Sequence, residues 1–206
     1  MALFKIAKGV YVPNVWKLSE GFEVTPREGA RLRIKANVSL ENLDSFFRTA
    51  TDCLIEPVFL ILETPCNEVK ERELRKNSED PFHMDVYYSE PKSRADIIDL
   101  YARYDELLLN DGFVRFGVAS QKTQDEVFVA AYKIVYLLGS APNPFQNILN
   151  QFELPQIDQL VTAWDLFTDG DPGEKSRYKS PVGDIYDMIE SLMRSGDIFF
   201  SKTVAD

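Results

Sequence analysis

His83 is the only histidine in the chain, so any chemistry that uses an imidazole has to be built around it. That excludes a zinc site with two histidine ligands and forces any Ser-His-Asp or Cys-His arrangement to assemble at residue 83. Asp85 and Tyr87 follow at two-residue spacing, which puts the three side chains on one face of a strand. With cationic side chains nearby, such a row would supply a general base, a carboxylate and a clamp for an anionic substrate. Arg33, Lys35 and Arg115 are the candidates for that clamp, because each lies in a stretch that alternates polar and apolar residues.

Other motif-like stretches fail on spacing. In "GDPGEKS", residues 170–176, Glu174 separates the glycine from the lysine, whereas a phosphate-binding loop needs Gly-Lys-Ser/Thr in succession after a strand. Asp165, Asp169, Asp171 and Glu174 lack the ligand alternation of an EF-hand, and no glycine-rich dinucleotide fingerprint is present. Cys53 and Cys66 are too far apart for a C-x-x-C redox pair and read as reduced, partly buried side chains. Neither a cofactor nor a metal is therefore expected. Trp16 and Trp164 are expected to serve core packing first and a binding hot spot second.

The elements that must position these residues follow from periodicity. "RLRIKANV" alternates as a half-buried strand, and Ser39 opens a helix in which Leu43, Phe46, Phe47 and Ala50 recur at helical spacing. "PVFLILET" reads as a buried strand, "NEVKERELRK" as a short solvated helix and "HMDVYYS" as another strand. Ser93 and Asp96 resemble a capping box at the start of one long helix ending near Asn110. Gly112 then sits where a left-handed C-terminal cap is expected, so that Asn110-Asp111-Gly112 is punctuation. "FVRFGVAS" and "EVFVAAYKIVYLLG" read as two strands of a hairpin around "QKTQD". Beyond Gly139, "FQNILNQFEL", "QIDQLVTAWDLF" and "PVGDIYDMIESLMRSG" look helical, the last with Pro181 at its start.

The order β-α-β-β-α-β over residues 31–119 predicts an α+β protein with a ferredoxin-like (split βαβ) antiparallel sheet, an extra strand and a helical C-terminal extension. The expectation is a single domain over 1–206, with a strand-rich N-terminal arm at 1–30, a core at 31–138 and the helical extension at 139–206. In a ferredoxin-like sheet the first and third strands are neighbours. Arg33, Lys35, His83, Asp85, Tyr87 and Arg115 would then share the sheet face turned away from the helices. The plain alternative is a charged sheet face that balances itself through cross-strand pairs.

Formal charge is −10 and unevenly spread: residues 1–38 carry +4 and residues 151–206 carry −6. Such a surface repels phosphate backbones and anionic membranes and attracts a basic partner. "MALFKIAKGVYVPN" contains no apolar stretch of signal length and no run reaches the length of a membrane span, so a cytoplasmic protein is expected.

From His83 to Leu138 the succession of a strand like "HMDVYY", a long helix, a turn like "NDGFVRFGV" and a strand like "DEVFVAAYKIVYLL" resembles small acidic bacterial proteins. These include immunity-type proteins that neutralise a toxin made by the same cell. The resemblance covers about residues 83–138 and implies a non-enzymatic bacterial interaction protein that binds a basic protein partner through an acidic surface. The rival expectation is a small enzyme or anionic-ligand-binding domain whose site centres on His83, Asp85, Tyr87, Arg33 and Arg115, with Arg33, Lys35, Tyr87 and Arg115 as binding residues and His83 and Asp85 as catalytic ones.

Overall fold

Period-two alternation yields strands and 3.6-residue periodicity yields helices through most of the chain. The computed structural model describes residues 3–27, 31–140 and 143–206. In chain order it contains β1 (Val10–Tyr11), β2 (Gly21–Arg27), β3 (Arg31–Asn37), α1 (Leu40–Thr51), β4 (Val58–Pro65), α2 (Glu68–Leu74), β5 (His83–Tyr88) and α3 (Arg94–Ala102). There follow α4 (Asp105–Asn110), β6 (Arg115–Ser120), β7 (Glu126–Val129), β8 (Val135–Ser140), α5 (Gln146–Gln151), β9 (Glu174–Lys175), α6 (Ile185–Ser195) and β10 (Phe199–Ala205).

Eight strands form one sheet in the order β10-β5-β4-β6-β7-β8-β3-β2, with every neighbouring pair antiparallel. β1 and β9 pair separately as a two-stranded sheet. The protein is thus α+β and antiparallel, but the ferredoxin-like neighbourhood is absent. β3 pairs with β2 and β8, and four strands separate it from β5. The reason is local: β4 returns beside β5, and β6-β7-β8 is a meander of tight hairpins that fills the space between.

The helices cover one face. Phe47 of α1 packs against Phe116 at 5.0 Å and Tyr101 at 4.8 Å, over the centre of the sheet. Ile185, Met188, Ile189 and Leu192 of α6 join the same core, supplying the surface that its apolar stripe needs, whereas Val182 and Met193 stay exposed. Asp184 caps α6 through Tyr186 N–H and Asp187 N–H, so Pro181 lies in the turn before the helix rather than in its first position.

Several expected elements change form. The long helix divides at Tyr104 (φ −136°), which redirects α4 and buries Leu107, Leu108 and Leu109 together, a wider face than one helical stripe offers. The stretch 126–138 is two strands, because Tyr132 and Lys133 adopt left-handed φ of 57° and 59° and reverse the chain. The C-terminal extension is not wholly helical: residues 163–166 form one short 3-10 turn, and β10 joins the main sheet as an edge strand. Both tryptophans are largely exposed, Trp16 at 67% and Trp164 at 52%; Trp164 stacks on Tyr132 and Phe167 at the surface.

The turn Asn110-Asp111-Gly112 does more than end a helix. Asp111 is fully buried, accepts from Phe113 N–H, Val114 N–H and Tyr178 N–H, and so ties the start of β6 to the segment before α6. Gly112 is not a left-handed cap. It is required by close approach: a Cβ there would lie 1.9 Å from the Gly9 carbonyl oxygen and 2.9 Å from that of Ser176. Gly9 N–H donates to Asn110, Ser176 N–H to Gly9 and Gly112 N–H to Ser176, closing a junction of three chain segments. Gly112→Ala is expected to cost about 3 kcal/mol through overpacking and to lower Tm by roughly 6–12 °C at this chain length. An unchanged Tm in thermal denaturation would contradict the close-approach reading.

Candidate functional site

His83, Asp85 and Tyr87 alternate with Met84 and Val86 along β5, and their partners in β4 are Leu62 and Thr64 of the helix-side core. They therefore face the helices. Arg33, Lys35 and Arg115 alternate with core residues Ile34, Ala36 and Phe116 and point to the opposite face. The lateral separation of β3 and β5 is five strand spacings, about 24 Å. The expected catalytic or anion-binding constellation is therefore not assembled.

On the helix side each group is satisfied internally. Asp85 is buried and accepts from Lys70 Nζ at 2.6 Å, Thr203 Oγ1 at 2.7 Å and Cys66 Sγ at 3.1 Å. Burial works against its charge, but these donors hold its carboxyl below the usual carboxylate range. The same contact works the other way on the thiol: burial, then the bond to Asp85, push Cys66 up to about 12. Burial likewise raises Tyr87 to about 12. His83 Nδ1 lies 3.2 Å from Glu71 Oε1 and its backbone N–H donates to Glu71 Oε2, so the imidazole helps to dock α2. Lys70 also lies 4.5 Å from the centre of the Phe200 ring. This cluster anchors α2 and β10 to β5.

The other face is partly open. The N-terminal arm and residues 163–167 cover one end of it through a small second core of Ala7, Val10, Val12, Leu18, Ala163 and Leu166. Elsewhere its charges pair across strands: Lys35 with Glu23 at 3.1 Å, Arg31 with Asp125 at 3.9 Å, and Arg115 with Glu63 at 3.5 Å and with Asp206. Arg33 has no ion pair among the described residues and lies 5.9 Å from the Tyr136 ring centre. Burial raises the pKa of Glu63 despite Arg115 beside it.

At the end of this face beside the β6–β7 turn lies a depression of about 500 Å³, framed by Phe59, Ile61, Tyr88, Ala119, Glu126 and Phe199. Phe59 and Tyr88 meet edge to face at 5.7 Å, and Phe199 continues the row from Tyr88 at 6.5 Å. Glu126 has no hydrogen-bond or salt-bridge partner among the described residues, although it is half-buried on the groove wall. Burial first, then the charge of Glu63, raises its pKa, and Arg31 offsets this in part. The aromatic frame with one unpaired carboxylate is an arrangement that attracts a cationic group.

Among the described residues, no three His, Cys, Asp or Glu side chains converge as metal ligands, and no helix is long and apolar enough to cross a membrane. Comparison with known proteins finds no matching family model, curated protein or solved structure.

Sequence reasoning missed Phe59, Glu63, Tyr88 and Glu126. A signal was available, because Phe59, Ile61 and Glu63 alternate with Leu60 and Leu62 inside a run read as wholly buried. With Cys66 donating to Asp85 and Cys53 also raised by burial, neither thiol is expected to react quickly with a disulfide reagent such as DTNB in the native protein at pH 8. Unfolding in guanidinium should release both; one thiol reacting natively at the rate of free cysteine would contradict the placement.

Proposed function

We propose that this chain is a non-enzymatic bacterial interaction protein of immunity type, which binds a basic protein partner through the open face of its sheet. The observation that carries the reading is the half-buried Glu126, left without a counter-charge on a concave aromatic surface. A net charge of −10 supports it, because long-range attraction speeds association with a basic partner and repels acidic ones. The resemblance of residues 83–138 to toxin-neutralising proteins suggests that binding is inhibitory. Of the residues of the rival enzyme reading, His83 and Asp85 lie on the helix side of the sheet and Arg33 and Arg115 on the opposite face.

Aromatic side chains supply most of the contact area on this face, and the carboxylates set partner choice. Phe59, Tyr88, Phe128 and Tyr136 are half-buried and their strands hold them in a fixed array, so little side-chain freedom remains to be lost on binding. Affinity capture from the native host at low salt is expected to recover a basic protein at equal stoichiometry, with the complex dissociating as salt is raised. Glu126→Lys should weaken capture by at least tenfold, and co-expression with the native chain should suppress the captured protein's toxicity. No stoichiometric partner, or a captured protein that is not basic and whose complex is insensitive to salt, would sink the proposal.

A further inference from the structure

The groove has the chemistry of a subsite for a cationic side chain, with room beside it for the residues that flank that side chain. We infer that the depression between Phe59, Tyr88, Phe199 and Glu126 receives an arginine side chain of the partner, with its guanidinium against the Glu126 carboxylate. This rests on the interaction reading above and adds to it the residue type that the partner must present.

Three observations support the assignment. Glu126 has no cation of its own, and the nearest candidate is engaged elsewhere: Arg31 Nη2 lies 3.9 Å from Asp125, and its guanidinium donates to the Thr123 and Gln124 carbonyls at 3.1 and 2.6 Å. The cation on the far side, Arg115, is held by Glu63 and Asp206. The groove floor is apolar and its walls aromatic, through Ile61, Ala119, Phe59, Tyr88 and Phe199, so an aliphatic stem can be buried while the planar head stacks and pairs. Finally, Gln121 and Gln124 are exposed on the rim, offering amide oxygens to guanidinium N–H groups that the carboxylate does not reach.

The titrating neighbours are Glu63 on β4, Tyr88 on β5 and Arg31 on β3. Glu126 has a raised pKa in the free protein, so a cation that binds its ionised form must lower that pKa, and binding must weaken as pH falls through the titration of Glu126. Tyr88, itself raised by burial and by the two carboxylates, stays neutral across this range.

The probe is N-acetyl-arginine amide, with the neutral isostere N-acetyl-citrulline amide as control, titrated into ¹⁵N-labelled full-length protein. Saturable shifts are expected at Phe59, Tyr88, Ala119, Glu126 and Phe199, with citrulline at least tenfold weaker and the response lost as pH is lowered. Glu126→Gln should abolish the arginine response with unchanged or raised Tm, since it removes an unpaired half-buried charge. Equal binding of citrulline, shifts confined to other surfaces, or a Glu126→Gln variant that binds as the native chain does would each overturn the subsite. The two proposals fail separately. A captured partner indifferent to Glu126→Gln overturns the subsite alone, whereas an arginine response without any stoichiometric partner supports the subsite and counts against the interaction reading.

Discussion

Asp111 and Lys133 bring a carboxylate and an ammonium into the same buried junction, and the peripheral segments are arranged around how these groups are satisfied. Lys133 is buried, and its Nζ donates to the Leu108 carbonyl at 2.8 Å and the Val114 carbonyl at 3.1 Å. Burial pushes its pKa down to about 7, and the charge of Asp111 pulls the other way. Truncating Lys133 would leave the Leu108 and Val114 carbonyls without their donor, and a buried acceptor left unsatisfied typically costs about 1–3 kcal/mol. The left-handed turn at Tyr132 and Lys133 is the backbone conformation that delivers the ammonium to this place. Asp111, by accepting from Tyr178 N–H, brings the C-terminal segment to the same point, and the Gly9–Gly112 approach brings the N-terminal arm.

This junction decides which parts of the sheet are covered. The arm and the β1–β9 ribbon are fixed at one end of the face turned away from the helices, while α1, α3 and α6 close the other face. The end of the first face beside the β6–β7 turn is left to the solvent, floored by aromatic and aliphatic side chains. Most of its charges neutralise one another across strands, as an antiparallel sheet with opposite charges in register tends to do. Glu126 is the departure from that pattern. An unpaired carboxylate in a half-buried aromatic groove lowers the stability of the free protein, and a cationic partner is what would recover that loss.

The strands and helices themselves were largely legible in the sequence. Alternation in "RLRIKAN" and "HMDVYY" and helical spacing from Leu43 to Ala50 each report a local preference that the tertiary structure also satisfies. Strand order was not legible, because it depends on which edges meet, and no local pattern distinguishes β5 beside β4 from β5 beside β3. The hairpin at residues 131–133 was missed because no glycine marks it; a lysine takes the left-handed position for the sake of its buried hydrogen bonds. β10 escaped notice because an edge strand has little burial to impose alternation, and Phe199 and Phe200 remain about half exposed. Of the candidate site residues, alternation correctly set Arg33, Lys35 and Arg115 on a common face, but the groove draws its carboxylate and aromatic side chains from β4, β5, β7 and β10. Two of those four strands, β4 and β7, lay within runs read as structural, and on β5 the side chains singled out were His83, Asp85 and Tyr87, on the face opposite Tyr88.

The groove can receive a partner's cation only if Glu126 is an uncompensated carboxylate in the folded protein. A ¹³C NMR pH titration of the glutamate side-chain carboxyls, with Glu126 assigned by the loss of its signal in Glu126→Gln, measures this directly. The account predicts that Glu126 titrates above the ordinary glutamate value of 4.5. Titration at or below that value would show that the protein already supplies a counter-charge, and would contradict the groove as a place where a partner's cation is received.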